Sequence, residues 1–298
     1  MESCRFCGAV AACECSMCAR ACCSTHQASS FTGLKIRVCE QCERKYRNLA
    51  KLLKIPEWLR RRFEEWENEG RPAQYASPIE VANWDLSNPR IGEFISRLRV
   101  VRCANGVSRA MIDRDVAIEF CERAHESAEG ALEAHIVAFM WGYGLAGVGQ
   151  TRLGWTLKEN SNVAQKLFGV RTTLVTEGIM PAFASFVPDG SRFRLKNLGP
   201  SFATKDLFFF SGVENRDRAL ILDEIVVDTF LKEHVGVKLN PKKPLDYGKY
   251  LFAMYCWAAD LGLTPNQTEV LVYGWRLDQL PKESLKNWDP CLGSHVVS

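Results

Sequence analysis

Apolar positions recur at helical spacing along most of this chain, and two-residue alternation is rare. Beyond Cys42, the residues Tyr46, Leu49, Leu52 and Leu53 follow one helical stripe until Ile55-Pro56 interrupts it. Trp58, Leu59, Phe63 and Trp66 form a second stripe and predict a helix over Pro56–Asn68. Arg60–Arg62 and Glu64–Glu65 fall around it as a solvated face. Gly70-Arg71-Pro72 through Ser77-Pro78 reads as a domain entry. Further helices are predicted at 90–101, 112–126, 127–141, 160–169, 201–211, 223–234, 244–262 and 266–280. Pro244-Leu245-Asp246 and Thr264-Pro265 are good helix openings, whereas Ser127-x-x-Gly130 is a poor one. The run Thr172-Thr173-Leu174-Val175-Thr176 reads as a short strand or an extended link. The expected class is mainly α, divided into a module at 1–45, a helical linker at 46–78 and a larger domain at 79–298.

Composition narrows the class without naming a function. The chain is 47% hydrophobic and 24% charged, as a globular protein is. A net charge of +3 gives no global field that would announce a nucleic-acid binder. No run approaches eighteen apolar residues, so no membrane partner is expected. The opening Met-Glu-Ser-Cys has neither the basic nor the apolar segment of a secretion signal, so a cytoplasmic location is expected.

Cysteine changes that picture. Nine of the thirteen cysteines lie in the first 42 residues. In a reducing compartment such density reads as metal ligation. The pairs are Cys4/Cys7, Cys15/Cys18, Cys23/His26 and Cys39/Cys42, each with two intervening residues. That spacer lets both side chains of a pair reach one tetrahedral ion, and eight ligands satisfy two structural zinc ions. An interleaved pairing is expected, Cys4, Cys7, Cys23 and His26 against Cys15, Cys18, Cys39 and Cys42. Cys13 and Cys22 are alternatives to Cys15 and Cys23. The segment is too short to build a core without metal. Modules of this kind most often bind a protein partner, and some only staple a fold.

A second constellation lies at 197–223. Leu198-Gly199-Pro200-Ser201 is a turn that opens a helix, and Lys205 lies about one turn into it. Amides at such a helix start attract phosphate. Glycine permits close approach, and proline rigidifies the turn. A lysine amine desolvated in a cleft there becomes a nucleophile. Asp223 follows the apolar run Leu220-Ile221-Leu222 and is expected to cap the next helix. Its carboxylate could stabilise positive charge developing on a sugar ring. Upstream, Trp141-Gly142-Tyr143-Gly144 through Gly149-Gln150-Thr151-Arg152 reads as a glycine-rich loop able to approach another backbone. It lacks the preceding strand and the Gly-Lys-Ser/Thr of a nucleotide P-loop.

The turn, the lysine, the apolar run and the spaced aspartate resemble the 8-oxoguanine DNA glycosylase branch of the helix-hairpin-helix superfamily. Leu-Gly-Pro-Ser-Phe-Ala-Thr-Lys, with the Trp-Gly-Tyr-Gly stretch ending near an arginine, is closer still to small bacterial proteins with an 8-oxoguanine-glycosylase fold. The resemblance is best over 130–230, extends plausibly over 80–285 and leaves out the cysteine module. One departure is plain: the usual hairpin reads nearer to Leu-Pro-Gly-Val-Gly.

The resemblance implies a helix-hairpin-helix glycosylase fold and double-stranded DNA as partner. It implies that Lys205 attacks the anomeric carbon of a flipped nucleotide while Asp223 stabilises the sugar, with β-elimination to follow. Leu198, Gly199 and Ser201 would hold the adjacent phosphate. Trp141, Gln150 and Arg152 would wedge into the gap or meet the orphaned base. The base is not legible, and modified phage DNA in an antiviral setting is one candidate substrate. The alternative is a non-catalytic DNA-binding or signalling adaptor whose working part is the zinc module.

Overall fold

The computed structural model of the chain describes residues 3–278, apart from 12, 16, 19–20, 27–38, 48–53, 72–75, 85–86, 104–105, 147, 212–218 and 224–235. The expected helix at 223–234 and the final turn of the one at 266–280 lie outside the described residues.

The architecture is mainly helical. Two tiny strands, β1 (Cys13–Glu14) and β2 (Ala21–Cys22), pair antiparallel within the cysteine module. Helix α1 (Glu40–Arg47) starts directly after Cys39, and α2 (Glu57–Asn68) follows. Leu59 and Trp66 carry the buried stripe of α2, as the periodicity predicted. Strand β3 (Ser77–Ile79) leads into the larger body. There α3 (Pro89–Ser96), β4 (Arg99–Arg102), β5 (Ser108–Ile112) and α4 (Arg114–Cys121) come in turn.

The sheet was not expected. It is antiparallel in the order β3-β5-β4, with Pro78 opposite Met111 and Val100 opposite Ala110. The sequence pattern had run 99–101 on from the preceding helix. Strands of three to five residues complete too few two-residue periods to stand out from a helical background.

Helix α5 (Ala128–Tyr143) is the centre of the body and is buried on nearly every face. Its start, which looked poor in sequence, is properly capped: Gly130 N–H donates to Ser127 Oγ at 3.0 Å. Glycine is required at 130 because a Cβ there would lie 2.3 Å from the Arg123 carbonyl oxygen. Helix α6 (Gly149–Glu159) follows, then α7 (Val163–Glu177) and α8 (Ile179–Phe186). The threonine-rich run lies inside α7, contrary to the extended reading. Thr172, Thr173 and Thr176 each hydrogen-bond the carbonyl four residues back at 2.9 Å. Leu167, Val170 and Leu174 meanwhile bury one helical face, and that packing outweighs β-branched propensity.

Helix α9 (Pro200–Phe210) is buried continuously from Ala203 to Phe210 and packs against α5, α7 and α8. Helices α10 (Pro244–Leu261) and α11 (Pro265–Asp278) close the body. The cysteine module is docked on it. Met17 is fully buried, its carbonyl accepts the Met180 N–H of α8 at 3.2 Å, and α1 touches α10. No described helix is long and apolar enough to cross a membrane.

Candidate active site and metal centres

Lys205 is almost fully buried, although it is a lysine on the sixth position of a helix. Its Nζ donates to Asp223 Oδ2 at 2.8 Å and to Ser201 Oγ at 3.0 Å. Ser201 donates to the same Asp223 oxygen at 2.9 Å, which closes a triangle. Ser201 and Lys205 are four apart on α9 and so share a face. Ser201, expected as a phosphate contact, thus stands within the Lys205–Asp223 pair.

Asp223 is positioned by a strap without regular secondary structure, residues 219–223, whose backbone is tied down by three helices. Tyr247 and Tyr250 on α10 donate to the carbonyls of Leu220 and Ile221, both at 2.9 Å. Ile221 N–H donates to Glu269 Oε2 of α11, and Leu222 N–H to Thr204 Oγ1, both at 3.0 Å. Arg114 in turn donates to Glu269 at 3.1 Å and stacks over Phe208. Burial pushes the Tyr247 and Tyr250 hydroxyls well above their ordinary range, so they stay protonated donors.

Asp223 and Ser201 open onto a cleft of about 240 Å³. Phe139, Tyr143, Arg152, Asn197 and Phe202 line its other walls. The Tyr143 and Phe202 rings stack at 4.2 Å between centroids and 14° between planes. Lys205 Nζ sits 4.8 Å over the Phe202 ring. Arg152 reaches the Tyr143 hydroxyl at 3.4 Å. Burial raises the Tyr143 pKa, and Arg152 opposes the rise.

The glycine-rich stretch is explained by close contacts. It is not one loop: Trp141–Tyr143 ends α5, and Gly149–Arg152 begins α6. A Cβ at Gly142 would lie 2.8 Å from Phe202 Cε1 and 3.0 Å from Lys205 Cδ. One at Gly149 would lie 2.8 Å from Tyr143 Cβ. These two glycines let the lysine stem and both aromatic rings press against helix backbone. Trp141 is buried, edge-on to Phe209 and near Arg114, away from the cleft lining. An indole so placed cannot enter a base stack without unpacking α5. Gln150 is half-buried in the first turn of α6 and also lies off the cleft lining.

The hairpin differs from a short turn. Residues 187–199 separate α8 from α9, and Arg194 clamps the connection by donating to the Leu195 carbonyl at 2.6 Å and to that of Leu198. Leu198 is buried. Gly199 caps α9, and nothing lies within 4 Å of where its Cβ would be, so a backbone could approach. Behind Lys205, Asp206 is fully buried and accepts from His135 Nδ1 at 2.8 Å, which locks α9 to α5. Burial raises the Asp206 pKa, and His135 opposes the rise.

The cysteine module gathers two four-residue groups, Cys4, Cys7, Cys23 and His26, and Cys15, Cys18, Cys39 and Cys42. In each, the ligand atoms all lie within 4.8 Å of one another. Cys7 and Cys23 sulfurs stand 3.8 Å apart, and those of Cys18 and Cys39 3.9 Å. A tetrahedral ion with metal–sulfur bonds of about 2.3 Å has sulfur–sulfur edges of about 3.8 Å. The donor sets therefore fit a metal ion each. Cys22 is buried outside both groups.

Sequence reading missed Tyr143, Phe202 and the strap-holders Glu269, Tyr247 and Tyr250. Tyr143 and Phe202 stood next to residues that were singled out. Glu269 gave no local signal, because its role exists only where α11 meets the strap.

The family model described as "Putative 8-oxoguanine DNA glycosylase OGG-like protein" matches residues 72–273. No curated protein and no solved structure shows a significant match to the chain.

Proposed function

Because the chain belongs to this 8-oxoguanine DNA glycosylase-like family, we propose that it excises a base from double-stranded DNA with Lys205 as nucleophile and Asp223 as its partner. The observation that carries the reading is the buried Lys205 Nζ held 2.8 Å from Asp223, which lines the cleft.

The nucleotide leaves the stack and its base enters the cleft beside the Tyr143–Phe202 wall. The amine must shed a proton to present a lone pair, and Asp223 is the acceptor in reach. Nζ then bonds to C1′ as the C1′–N bond breaks. The bond's electron pair leaves with the base, which takes up the proton that Asp223 accepted, so that Asp223 is ionised again. Asp223 faces the positive charge that develops on the sugar. The C1′–O4′ bond then breaks, a proton passes from Nζ to O4′, and the opened sugar is held as a Schiff base on Lys205. Hydrolysis of that species regenerates the lysine, and β-elimination would instead nick the strand. Gly199 and the amides at the start of α9 are the proposed phosphate site, which the open space at Gly199 supports, whereas the buried Leu198 stands behind it.

The two cysteine groups are proposed to hold structural Zn²⁺, the ion that suits closed tetrahedral Cys₄ and Cys₃His sets. The buried contact of Met17 with α8 supports a stapling role for the module. A DNA substrate implies action inside the cell, and phage DNA is one source.

The test is borohydride trapping over a panel of duplexes carrying 8-oxoguanine, modified cytosines or an abasic site. A covalent adduct that Lys205→Ala abolishes is expected for at least one duplex. No adduct with any of them would overturn the reading.

A further inference from the structure

Helix α6 presents an aromatic side chain that the core does not use. Its inner face is Leu153 and Thr156, both buried. On its outer face Trp155 is 52% exposed. Trp155 stands three residues after Arg152, hence on the same face and about one turn further on. Arg152 itself lines the cleft.

Two hydrogen bonds fasten the end of α6 to the approach to α9. Asn160 Nδ2 donates to the Lys196 carbonyl at 3.2 Å, and Lys196 N–H donates to Asn160 Oδ1 at 2.8 Å. Asn197, next in the chain, lines the cleft with φ 64°. The exposed face of α6 and the turn before Gly199 therefore form one continuous rim. Arg152, Lys158 and Lys196 are exposed on these segments, and Glu159 is the one acid of α6.

We propose that Trp155 enters the base stack of duplex DNA next to the nucleotide whose base occupies the cleft. This rests on the glycosylase reading above. The occupant is duplex DNA because the indole is bordered by cations and adjoins the cleft. A base stack bounded by phosphates offers that alternation of flat apolar surface and negative charge. Extrusion leaves a gap in the stack, and an indole inserted there replaces the lost stacking. Trp155 thus takes the place that the family resemblance implied for Trp141.

The test compares wild type, Trp155→Ala and Trp155→Phe on duplexes with a central 8-oxoguanine and with a central abasic site. The first readout is tryptophan emission during duplex titration, with Trp155→Phe isolating the contribution of position 155. The second is the rate of borohydride trapping. Expected are quenching that disappears in Trp155→Phe and a roughly 10- to 100-fold slower trapping of Trp155→Ala on the duplex whose base must be extruded. The abasic duplex should lose far less, and phenylalanine should restore part of the rate.

Equal quenching in wild type and Trp155→Phe, or unchanged trapping by Trp155→Ala, would overturn the proposal. If wild type traps neither duplex, the catalytic reading fails for these substrates. The emission difference alone then decides whether Trp155 meets DNA.

Discussion

Gly142→Ala adds one methyl group to the tightest point of the proposed site. The new Cβ would stand 2.8 Å from Phe202 Cε1 and 3.0 and 3.1 Å from Lys205 Cδ and Cε, whereas ordinary contact begins at 3.4 Å. Phe202 must retreat by about 0.6 Å and the lysine stem by about 0.3–0.4 Å. Both neighbours are buried or packed: Phe202 is held between Tyr143 and Phe139, and Lys205 by Asp223. Alanine in place of glycine favours the helix by about 1 kcal/mol. Overpacking costs about 1–3 kcal/mol, so stability should fall by no more than about 2 kcal/mol. Activity should suffer more. Displacing a reacting group by about 1 Å costs on the order of 100-fold, and a displacement of a few tenths should cost roughly 10-fold or more. The assay pairs a thermal melt with single-turnover trapping on an abasic duplex. A variant that melts like wild type and traps at the wild-type rate would show that the lysine is not held by this contact.

Other outcomes follow from the same structure. Asp223→Asn should keep the fold and slow trapping by about 100-fold or more, since the charge facing the sugar is lost; single-turnover rates check it. Glu269→Ala leaves Arg114 buried without its carboxylate and frees Ile221 N–H. It should destabilise by about 3–5 kcal/mol in denaturant titration. Replacing His135 or Asp206 alone should also lower stability by a few kcal/mol, because each leaves a buried polar partner behind. Chelation should release metal, measured by mass spectrometry. Because Met17 is docked on α8, it should also lower the melting temperature of the whole chain. Independent melting of an unaffected body would refute that coupling.

Much of the local structure was legible because it depends on neighbours in sequence. Pro200 after Gly199 marks a helix start, and two-residue spacers mark the metal pairs. Helical periodicity gave α2, α10 and α11. The sheet and the interior of α7 were not legible. Short strands carry little periodicity, and threonines in α7 satisfy their hydroxyls on the helix's own carbonyls.

The sequence by itself determined the chemistry available: a lysine after a Gly-Pro turn, an aspartate eighteen residues on, and four metal-ligand pairs. Tertiary structure alone decided which groups meet. Irregular backbone at 219–223 has no periodic signature, yet four hydrogen bonds from α9, α10 and α11 hold it so that Asp223 faces Lys205. Trp141 and Trp155 divide in the same way. They are alike as residues, but α5 is enclosed on nearly every side and α6 on one. Burial is a property of the packed neighbours, so only the fold could send one indole to the core and the other to the surface.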